Sequence, residues 1–171
     1  LDDEIVLDLP VIASPMDTVS NVDMAMTIGR HGGLAVLHRY NSIDEQMDMV
    51  HEILFQDEDL VVAAAIGTTG DFEERSSRLV DAGVDVLCVD IAHGHHLLME
   101  RALKVIKDKF GDDVHIMAGN VATPEAFEDL ASWGADSVRV GIGGGSICST
   151  RLVSGHGVPT LQAGVPRARA G

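Results

Sequence analysis

Apolar and polar residues follow one another along the chain in a repeating order of a short apolar run, a polar loop and an amphipathic segment. Short apolar runs are typical of buried strands, and apolar residues three or four positions apart are typical of one helix face. The pattern predicts strands at residues 11–14, 34–37, 60–66, 84–89, 114–118 and 137–140. It predicts helices between them, at residues 22–31, 43–54, 71–82, 97–110 and 124–133. This alternation favours an α/β fold with a parallel sheet.

Several predicted helices carry end signals. Ser42 and Glu45 have the spacing of a capping box, Ser20 or Asn21 can cap the first helix, and Pro124 fits the first position of the fifth. In the second helix we expect four apolar residues to face inward, Ile43, Met47, Val50 and Leu54. In the fourth helix we expect the inward residues to be Leu98, Ala102, Val105 and Ile106.

Polar residues and glycines cluster directly after the predicted strands, as in residues 15–19, 38–41, 67–70, 90–96 and 119–122. In open α/β sheets and in β/α barrels alike, sites lie at the carboxyl ends of the strands. The loops after all the strands are therefore expected to share one face.

The loop after the last predicted strand holds the strongest candidate for chemistry. Residues 138–150 read VRVGIGGGSICST, an apolar strand that runs into a glycine-rich turn and a cysteine. Glycines let a ligand approach the backbone closely. Cys148 stands among small polar residues with Arg151 nearby, a setting that exposes a thiol and lowers its pKa. Cys148 is a candidate nucleophile, and the alternative is a glycine-rich surface loop beside a cysteine that packs as a small apolar residue.

Composition narrows the classes of function. The chain has 171 residues, 46% of them hydrophobic, which suits one domain with a real core. A net charge of −15 with 12 Lys and Arg argues against a nucleic-acid or anionic-membrane surface. No apolar run approaches the roughly 20 residues of a membrane helix, so we expect a soluble cytoplasmic protein. We also expect Cys88 and Cys148 to be reduced, with Cys88 buried in its strand.

The sequence argues against two common kinds of site, a zinc site and a Rossmann dinucleotide site. His93, His95 and His96 are clustered, but they lie on a predicted loop without a cysteine or aspartate partner set, and we favour a solvated cluster over zinc. The sequence lacks the dinucleotide-binding fingerprint, in which Gly-x-Gly-x-x-Gly joins a strand to a helix and an acidic residue follows downstream. This absence disfavours a Rossmann dehydrogenase.

Residues 138–150 closely resemble the active-site loop of the IMP dehydrogenase and GMP reductase family, Gly-x-Gly-x-Gly-Ser-Ile/Val-Cys-x-Thr. The motifs at residues 16–19, 38–39, 90–94 and 119–121 are similar to those after earlier strands of that family. The resemblance implies a TIM (β/α)8-barrel type with the first six β/α units present and the barrel incomplete. We expect a partial catalytic barrel over residues 1–162 and an atypical C-terminal tail over 163–171, hence a fragment.

The resemblance also implies roles for individual residues. Cys148 would attack C2 of a purine nucleoside monophosphate, with NAD, or alternatively NADPH, exchanging a hydride at that carbon and Thr150 near the attacking water or ammonia. Substrate contacts are implied for Ser14, Met16, Asn120, Arg139 and Ser146. Cofactor contacts are implied for Asp90, Ala92 and His93. A potassium ion (K+) is implied on the backbone carbonyls of Gly143, Gly145 and Cys148, with further ligands from a neighbouring subunit.

Structural alternatives exist for several of these residues. Asp90 can cap a helix, Arg139 can be an ion-pair partner, Ser146 can cap the turn, and Met16 can belong to the core.

Three functions remain open from the sequence. The leading one is an IMP dehydrogenase that oxidises IMP to XMP, towards which the Ser-Ile-Cys sequence at 146–148 leans. The second is a GMP reductase that converts GMP to IMP and ammonia, favoured by residues 90–94 and by the missing regulatory insert. The third is a non-catalytic assembly partner. We expect the full-length parent to be a tetrameric enzyme and this chain alone to be inactive.

Overall fold

A computed structural model of the chain describes residues 1, 5–146 and 148–164. The chain runs through β1 (Ile12–Ala13), α1 (Val22–Arg30), β2 (Leu34–Leu37), α2 (Ile43–Gln56), β3 (Ala63–Ile66), α3 (Phe72–Asp81) and β4 (Val86–Asp90). It continues through α4 (Leu97–Phe110), β5 (His115–Val121), α5 (Pro124–Ser132), β6 (Ser137–Val140), α6 (Thr150–Ser154) and α7 (Thr160–Gly164). Residues 165–171 of the predicted tail lie outside the described part, and the division at residue 162 stays a prediction.

The six strands form one sheet in the order β1-β2-β3-β4-β5-β6, and every neighbouring pair is parallel. Ile12 of β1 and Ser137 of β6 line the same small cavity, so the sheet curls until its two edge strands approach each other. A sheet whose strands follow sequence order and curl in this way is of the β/α-barrel type, whereas a doubly wound sheet reverses its strand order. The predicted α/β fold with an incomplete TIM barrel is confirmed.

Side chains alternate between the two sides of the sheet, as the two-residue period of a strand requires. On the inner side of the curl lies a buried cluster of Leu34, Val36, Ala63, Ala65, Val86, Cys88 and Met117. On the other side, strand residues such as Leu37, Ile66 and Leu87 share a larger buried cluster with residues of the helices. Asp90 lies two residues beyond Cys88, and Arg139 lies two beyond Ser137, so alternation places both on the inner side.

The local signals at the helix ends act as predicted. Asn21 caps α1 by accepting a hydrogen bond from the Met24 N–H at 3.0 Å. Ser42 and Glu45 form the complete capping box of α2. The predicted bounds of β2, α4 and β6 agree with the structure. Within the described residues, no helix is long and apolar enough to cross a membrane.

The inward faces of two helices differ from the prediction. In α2 the buried residues are Gln46, Val50 and Ile53. The predicted inward position of Val50 is confirmed, and Leu54 packs half-buried against the core. Gln46 and Ile53 were not in the predicted set. Gln46 is buried because its amide donates to the Ala65 carbonyl at 2.9 Å and accepts from the Arg75 guanidinium at 2.7 Å.

In α4 the buried residues are Met99, Ala102, Leu103 and Ile106, while Leu98 is exposed in the first turn. The prediction for Leu98 was wrong, because in the first turn it is Met99 that faces the core. The two short helices α6 and α7, which follow the cysteine loop, were not predicted.

Candidate active site

The loops after β1, β2, β4 and β6, together with the end of β5, meet around a cleft of about 640 Å³ at the carboxyl ends of the strands. This volume is within the range of small-molecule sites. The lining includes Ser14, Met16, Arg39, Tyr40, Asp90, Ala92, Asn120, Arg139, Gly143, Gly145, Cys148 and Thr150. The predicted convergence of the strand-end loops is therefore present for these five strands.

An ion pair between Asp90 and Arg139 crosses the inner side of the sheet in this cleft. The Arg139 Nη1 atom lies 2.5 Å from Asp90 Oδ1, and each side chain is about one-fifth exposed, 20% and 19% respectively. In the strand register Gly119 pairs with Asp90 on one side and with Arg139 on the other. A Cβ atom at Gly119 would lie 2.6 Å from the Cβ of Arg139, so the glycine makes room for the pair. The structural alternative for Arg139, an ion-pair partner, is thus realised.

Cys88 lies beneath this ion pair and is chemically quiet. Its Sγ atom is 3.6 Å from Arg139 Nη1, and the side chain is fully buried. Burial raises the pKa of the Cys88 thiol to about 11, since a thiolate there would lose its hydration. Cys88 and Cys148 are both free thiols, and the predicted burial of Cys88 is confirmed.

Asn120, just before the end of β5, ties three loops together. Its Nδ2 atom donates to the Gly141 carbonyl at 3.0 Å, and its own carbonyl accepts from the Gly94 N–H at 2.7 Å. A Cβ atom at Gly94 would lie 2.9 Å from that carbonyl oxygen, so the close approach depends on glycine. These bonds fix the loops after β4 and β6 relative to the end of β5.

Cys148 lies in a setting unlike that of Cys88. Its thiol donates to Thr150 Oγ1 at 3.3 Å, and its N–H donates to the Gly145 carbonyl at 3.2 Å. The hydrogen bonds with Thr150, and then the positive charge of Arg151, lower the pKa of the Cys148 thiol. A partly exposed thiol with a lowered pKa is the setting expected of a nucleophile.

The glycine-rich turn is supported from one side by the segment before α7. Ile142 and Val158 form an antiparallel bridge, in which the Val158 N–H donates to the Ile142 carbonyl at 3.0 Å. Gly143 has a φ of +73°, a conformation that other residues rarely adopt. The turn is thus a held structure rather than a free surface loop.

Of the predicted site residues, two lie beside the cleft rather than in its lining. Ser146 is exposed, and His93 is exposed with its ring stacked on His156 at a centroid distance of 6.0 Å. Partial loss of hydration around the ring lowers the pKa of His93, and the nearby His156 lowers it further. Met16 is 41% exposed and lines the cleft, so it does not belong to the core. The ligand contacts of Ser146 and His93 stay predictions.

The other histidines of the predicted cluster have different neighbours. His95 Nε2 lies 2.8 Å from Asp129 Oδ2, and its ring lies 5.9 Å from that of Trp133. His96 caps α4, accepting from the Leu98 N–H at 3.1 Å. Each imidazole of this cluster therefore takes part in a separate contact.

One of the three carbonyls predicted to hold potassium, that of Gly145, already has other partners. The Gly145 carbonyl accepts two hydrogen bonds, from the Cys148 N–H and from the Arg151 guanidinium at 3.0 Å. A potassium ion on the same oxygen would meet a like charge at short range, where repulsion is strong. Potassium binding at these carbonyls therefore stays a prediction.

Several groups of the cleft have the chemistry to hold a nucleotide or a nicotinamide cofactor. Asp90 has a second carboxylate oxygen besides the one bound to Arg139, and carboxylates accept hydrogen bonds from ribose hydroxyls. Met16 offers an exposed apolar surface to a flat ring. The amide of Asn120 supplies further polar groups in the same cleft.

Sequence reasoning gave no role to Arg39, although it also lines the cleft. Its Nη2 atom donates to the Asp90 carbonyl at 3.3 Å, and its guanidinium lies 5.6 Å from the centre of the Tyr40 ring. The sequence signal that could have pointed to Arg39 was a cationic residue in the loop after a predicted strand. Arg39 thus joins the ends of β2 and β4.

A curled parallel sheet with a cysteine loop and a polar cleft at its carboxyl end defines a protein of the β/α-barrel class with an enzyme-like site. The chain belongs to the IMP dehydrogenase / GMP reductase family. The family model, described as the IMP dehydrogenase / GMP reductase domain, matches residues 1–170. The predicted family resemblance is confirmed.

Individual relatives carry both names. The inosine-5'-monophosphate dehydrogenase of Cryptosporidium parvum is 37% identical over 198 residues, covering 92% of this chain and 48% of that protein. The GMP reductase of Leishmania major is 53% identical over 113 residues, covering 64% of this chain and 23% of that protein. The inosine-5'-monophosphate dehydrogenase of Staphylococcus haemolyticus is 45% identical over 133 residues, covering 78% of this chain and 27% of that protein. The chain therefore spans about half or less of the length of these relatives.

Proposed function

We propose that this chain carries the nucleotide-binding and nucleophilic part of a purine nucleotide oxidoreductase, with IMP dehydrogenase activity as the leading assignment. The observation that carries the proposal is the state of Cys148, a partly exposed thiol bonded to Thr150 on the loop that borders the cleft. Membership of the family, and the printed names of most relatives, support the oxidoreductase class.

The proposed chemistry begins with the Cys148 thiolate. It attacks C2 of the IMP purine, forming a carbon–sulfur bond, and a hydride then leaves C2. Water next adds to the same carbon, the carbon–sulfur bond breaks, and XMP and the free thiol are released. Thiolates suit such a cycle because they are both strong nucleophiles and good leaving groups. Thr150, whose hydroxyl contacts the sulfur, is placed to orient the water.

Other residues of the cleft would hold the reactants. Ser14, Met16, Asn120 and Arg139 would contact the nucleotide, and Ser146 would bind its phosphate. Asp90, with Ala92 and His93 on the same loop, would hold the cofactor ribose. NAD, when bound there, supplies the acceptor for the hydride. Because Arg139 is paired with Asp90, it also fixes the carboxylate in position.

GMP reductase activity, with NADPH as the reductant, is the second candidate. It is favoured by the 53% identity to the Leishmania major GMP reductase over 113 residues. The same cysteine would attack C2 of GMP, forming a carbon–sulfur bond, and ammonia would leave. A hydride would then be delivered to that carbon, and the carbon–sulfur bond would break to release IMP and the free thiol. The two candidates therefore share the nucleophile and differ in the group that leaves.

The test is labelling of the 171-residue chain with 6-chloro-IMP, followed by peptide mapping in a mass spectrometer. A thiolate displaces chloride from the purine, leaving a stable carbon–sulfur bond. We expect an adduct on Cys148 and none on Cys88, and we expect excess IMP to block it. The matched control is the Cys148→Ser variant, in which labelling should be lost.

The nucleotide that protects the thiol then separates the two candidates. Stronger protection by XMP than by GMP supports the dehydrogenase, and the reverse order supports the reductase, because each enzyme must bind its own substrate and product. The absence of an adduct in a folded sample, or an adduct that IMP leaves unchanged, contradicts the proposal for this chain.

Several finer assignments stay predictions. They are a tetrameric full-length parent, a cytoplasmic location, and the absence of turnover by this chain alone. The last is supported by the open edge between β1 and β6 in the described residues, which leaves the cleft unclosed on that side.

A further inference from the structure

Arg151, at the start of α6, reaches back to the loop that carries the cysteine. Its Nη2 atom donates to the Gly145 carbonyl at 3.0 Å. The same carbonyl accepts the Cys148 N–H at 3.2 Å. One oxygen thus joins the guanidinium of Arg151 to the backbone of the proposed nucleophile.

Two glycines leave room for the Arg151 side chain because they carry no Cβ atom. A Cβ atom at Gly157 would lie 2.6 Å from Arg151 Cγ, and one at Gly143 would lie 2.8 Å from the same atom. Real Cβ atoms are not found at such distances, so any larger residue at either position would displace the side chain. The stem of Arg151 is therefore seated between the glycine-rich turn and the segment before α7.

The Gly145 carbonyl has a charged partner in Arg151. A carbonyl oxygen carries partial negative charge, so a cation close to it is attracted. Arg151 brings a permanent positive charge to the Gly145 oxygen, because a guanidinium does not lose its proton in proteins.

We propose that Arg151 is a positioning residue that acts as the built-in cation of the cysteine loop, holding the Gly145 carbonyl in the place where a monovalent metal ion would otherwise bind. The inference rests on the proposed function only in calling Cys148 the nucleophile. Arg151 itself is not assigned any contact with the substrate.

The experiment follows hydrogen–deuterium exchange of the peptide that spans residues 141–151 in the 171-residue chain, without nucleotide. We expect the Arg151→Gln variant to exchange about three- to tenfold faster there, as loss of one partly exposed hydrogen bond predicts. Arg151→Lys, which keeps the charge, should recover part of the protection. Guanidinium chloride at low millimolar concentration should also recover part of it in Arg151→Gln, which a purely structural packing role would not produce.

A second variant displaces the side chain without removing its charge. Gly157→Ala should speed exchange of the same peptide as much as Arg151→Gln, and the double variant should show no further increase, since both changes break one contact. The matched controls are Arg101→Gln, an exposed arginine on α4, and Gly164→Ala, where an added Cβ meets no described atom within 4 Å.

A potassium titration completes the test. With Arg151 in place, replacing choline chloride by potassium chloride at constant ionic strength should leave the exchange of residues 141–151 unchanged. Slower exchange of the wild-type loop in potassium overturns the proposal. An exchange rate in Arg151→Gln equal to that of the unchanged chain overturns it as well. The labelling by 6-chloro-IMP is a separate measurement, so either proposal can fail while the other stands.

Discussion

The two cysteines show how position alone changes the chemistry of one side chain. Cys88 points into the curl of the sheet, where burial raises its pKa to about 11. Cys148 lies on the loop after β6, where the Thr150 hydroxyl and the charge of Arg151 lower the pKa of its thiol. At neutral pH the first remains a neutral thiol, and the second has the larger thiolate fraction.

Replacing Thr150 by valine should raise the pKa of the Cys148 thiol, because the hydroxyl that stabilises the thiolate is lost. Below the pKa the thiolate fraction falls, so alkylation by iodoacetamide at pH 7 should slow about two- to tenfold, the effect of one hydrogen bond to a charged group. Well above the pKa the two proteins should react at similar rates.

The control for this prediction is Thr150→Ser, which keeps a hydroxyl and should retain most of the reactivity. The measurement is the alkylation rate of Cys148 from pH 6 to 10, read by peptide mapping. Superimposable profiles for the valine variant and the unchanged chain would show that Thr150 does not act on the thiol.

Helix α2 illustrates how a tertiary contact overrides an apolar pattern. The pattern placed Val50 and Leu54 inward, which the structure bears out, but it did not place Gln46 inward, which the structure buries. Gln46 lies at the centre of a polar network that joins α2 to the end of β3 and to α3. Its amide bonds the Ala65 carbonyl and the buried Arg75, whose guanidinium also bonds Asp71 at 2.7 Å.

Gln46→Leu keeps the size of the side chain but leaves Arg75 and the Ala65 carbonyl without this partner. We expect the free energy of unfolding to fall by about 1–3 kcal/mol, the cost of buried polar groups left unsatisfied. The measurement is urea denaturation followed by circular dichroism. Gln56→Leu, at the exposed end of the same helix, is the matched control and should change stability little. Equal losses of stability in the two variants would show that the buried polar network does not stabilise the fold.

The molecule as a whole consists of a curled sheet with one buried cluster inside the curl and another beneath the helices. Because the strands are short and parallel, their carboxyl ends bring loops distant in sequence to one rim. The inner cluster contains Cys88, so its accessibility reports on the integrity of the curl.

Native chain should therefore show one thiol that reacts rapidly with Ellman's reagent at pH 8, and two in denaturant. Burial and the raised pKa both protect Cys88, since the reagent attacks a thiolate that it must reach. In the Cys148→Ser variant the native chain should show no rapidly reacting thiol, with one appearing on denaturation. Rapid reaction of two thiols in the native chain would mean that the curl opens readily in solution.

Much of the fold could be predicted because its signals are local. Apolar runs set the strands to within a few residues, and capping residues set the starts of α1, α2 and α5. The strand ends were less certain: β4 and β5 extend to Asp90 and Val121 because they pair with neighbouring strands there. The short helices α6 and α7 have weak signals of their own, since α6 buries none of its residues and α7 buries only Ala163.

The sequence by itself determined the order of strands and helices, the family, and the cysteine loop as the place of chemistry, because periodicity, capping and short motifs are properties of neighbouring residues. Only the tertiary structure decided that Asp90 pairs with Arg139 across Gly119, that Arg39 reaches the end of β4, and that the Gly145 carbonyl is taken by Arg151. These contacts join residues on different elements, or across a turn, and they form only when the curl of the sheet and the seating of the loop set the distances between atoms.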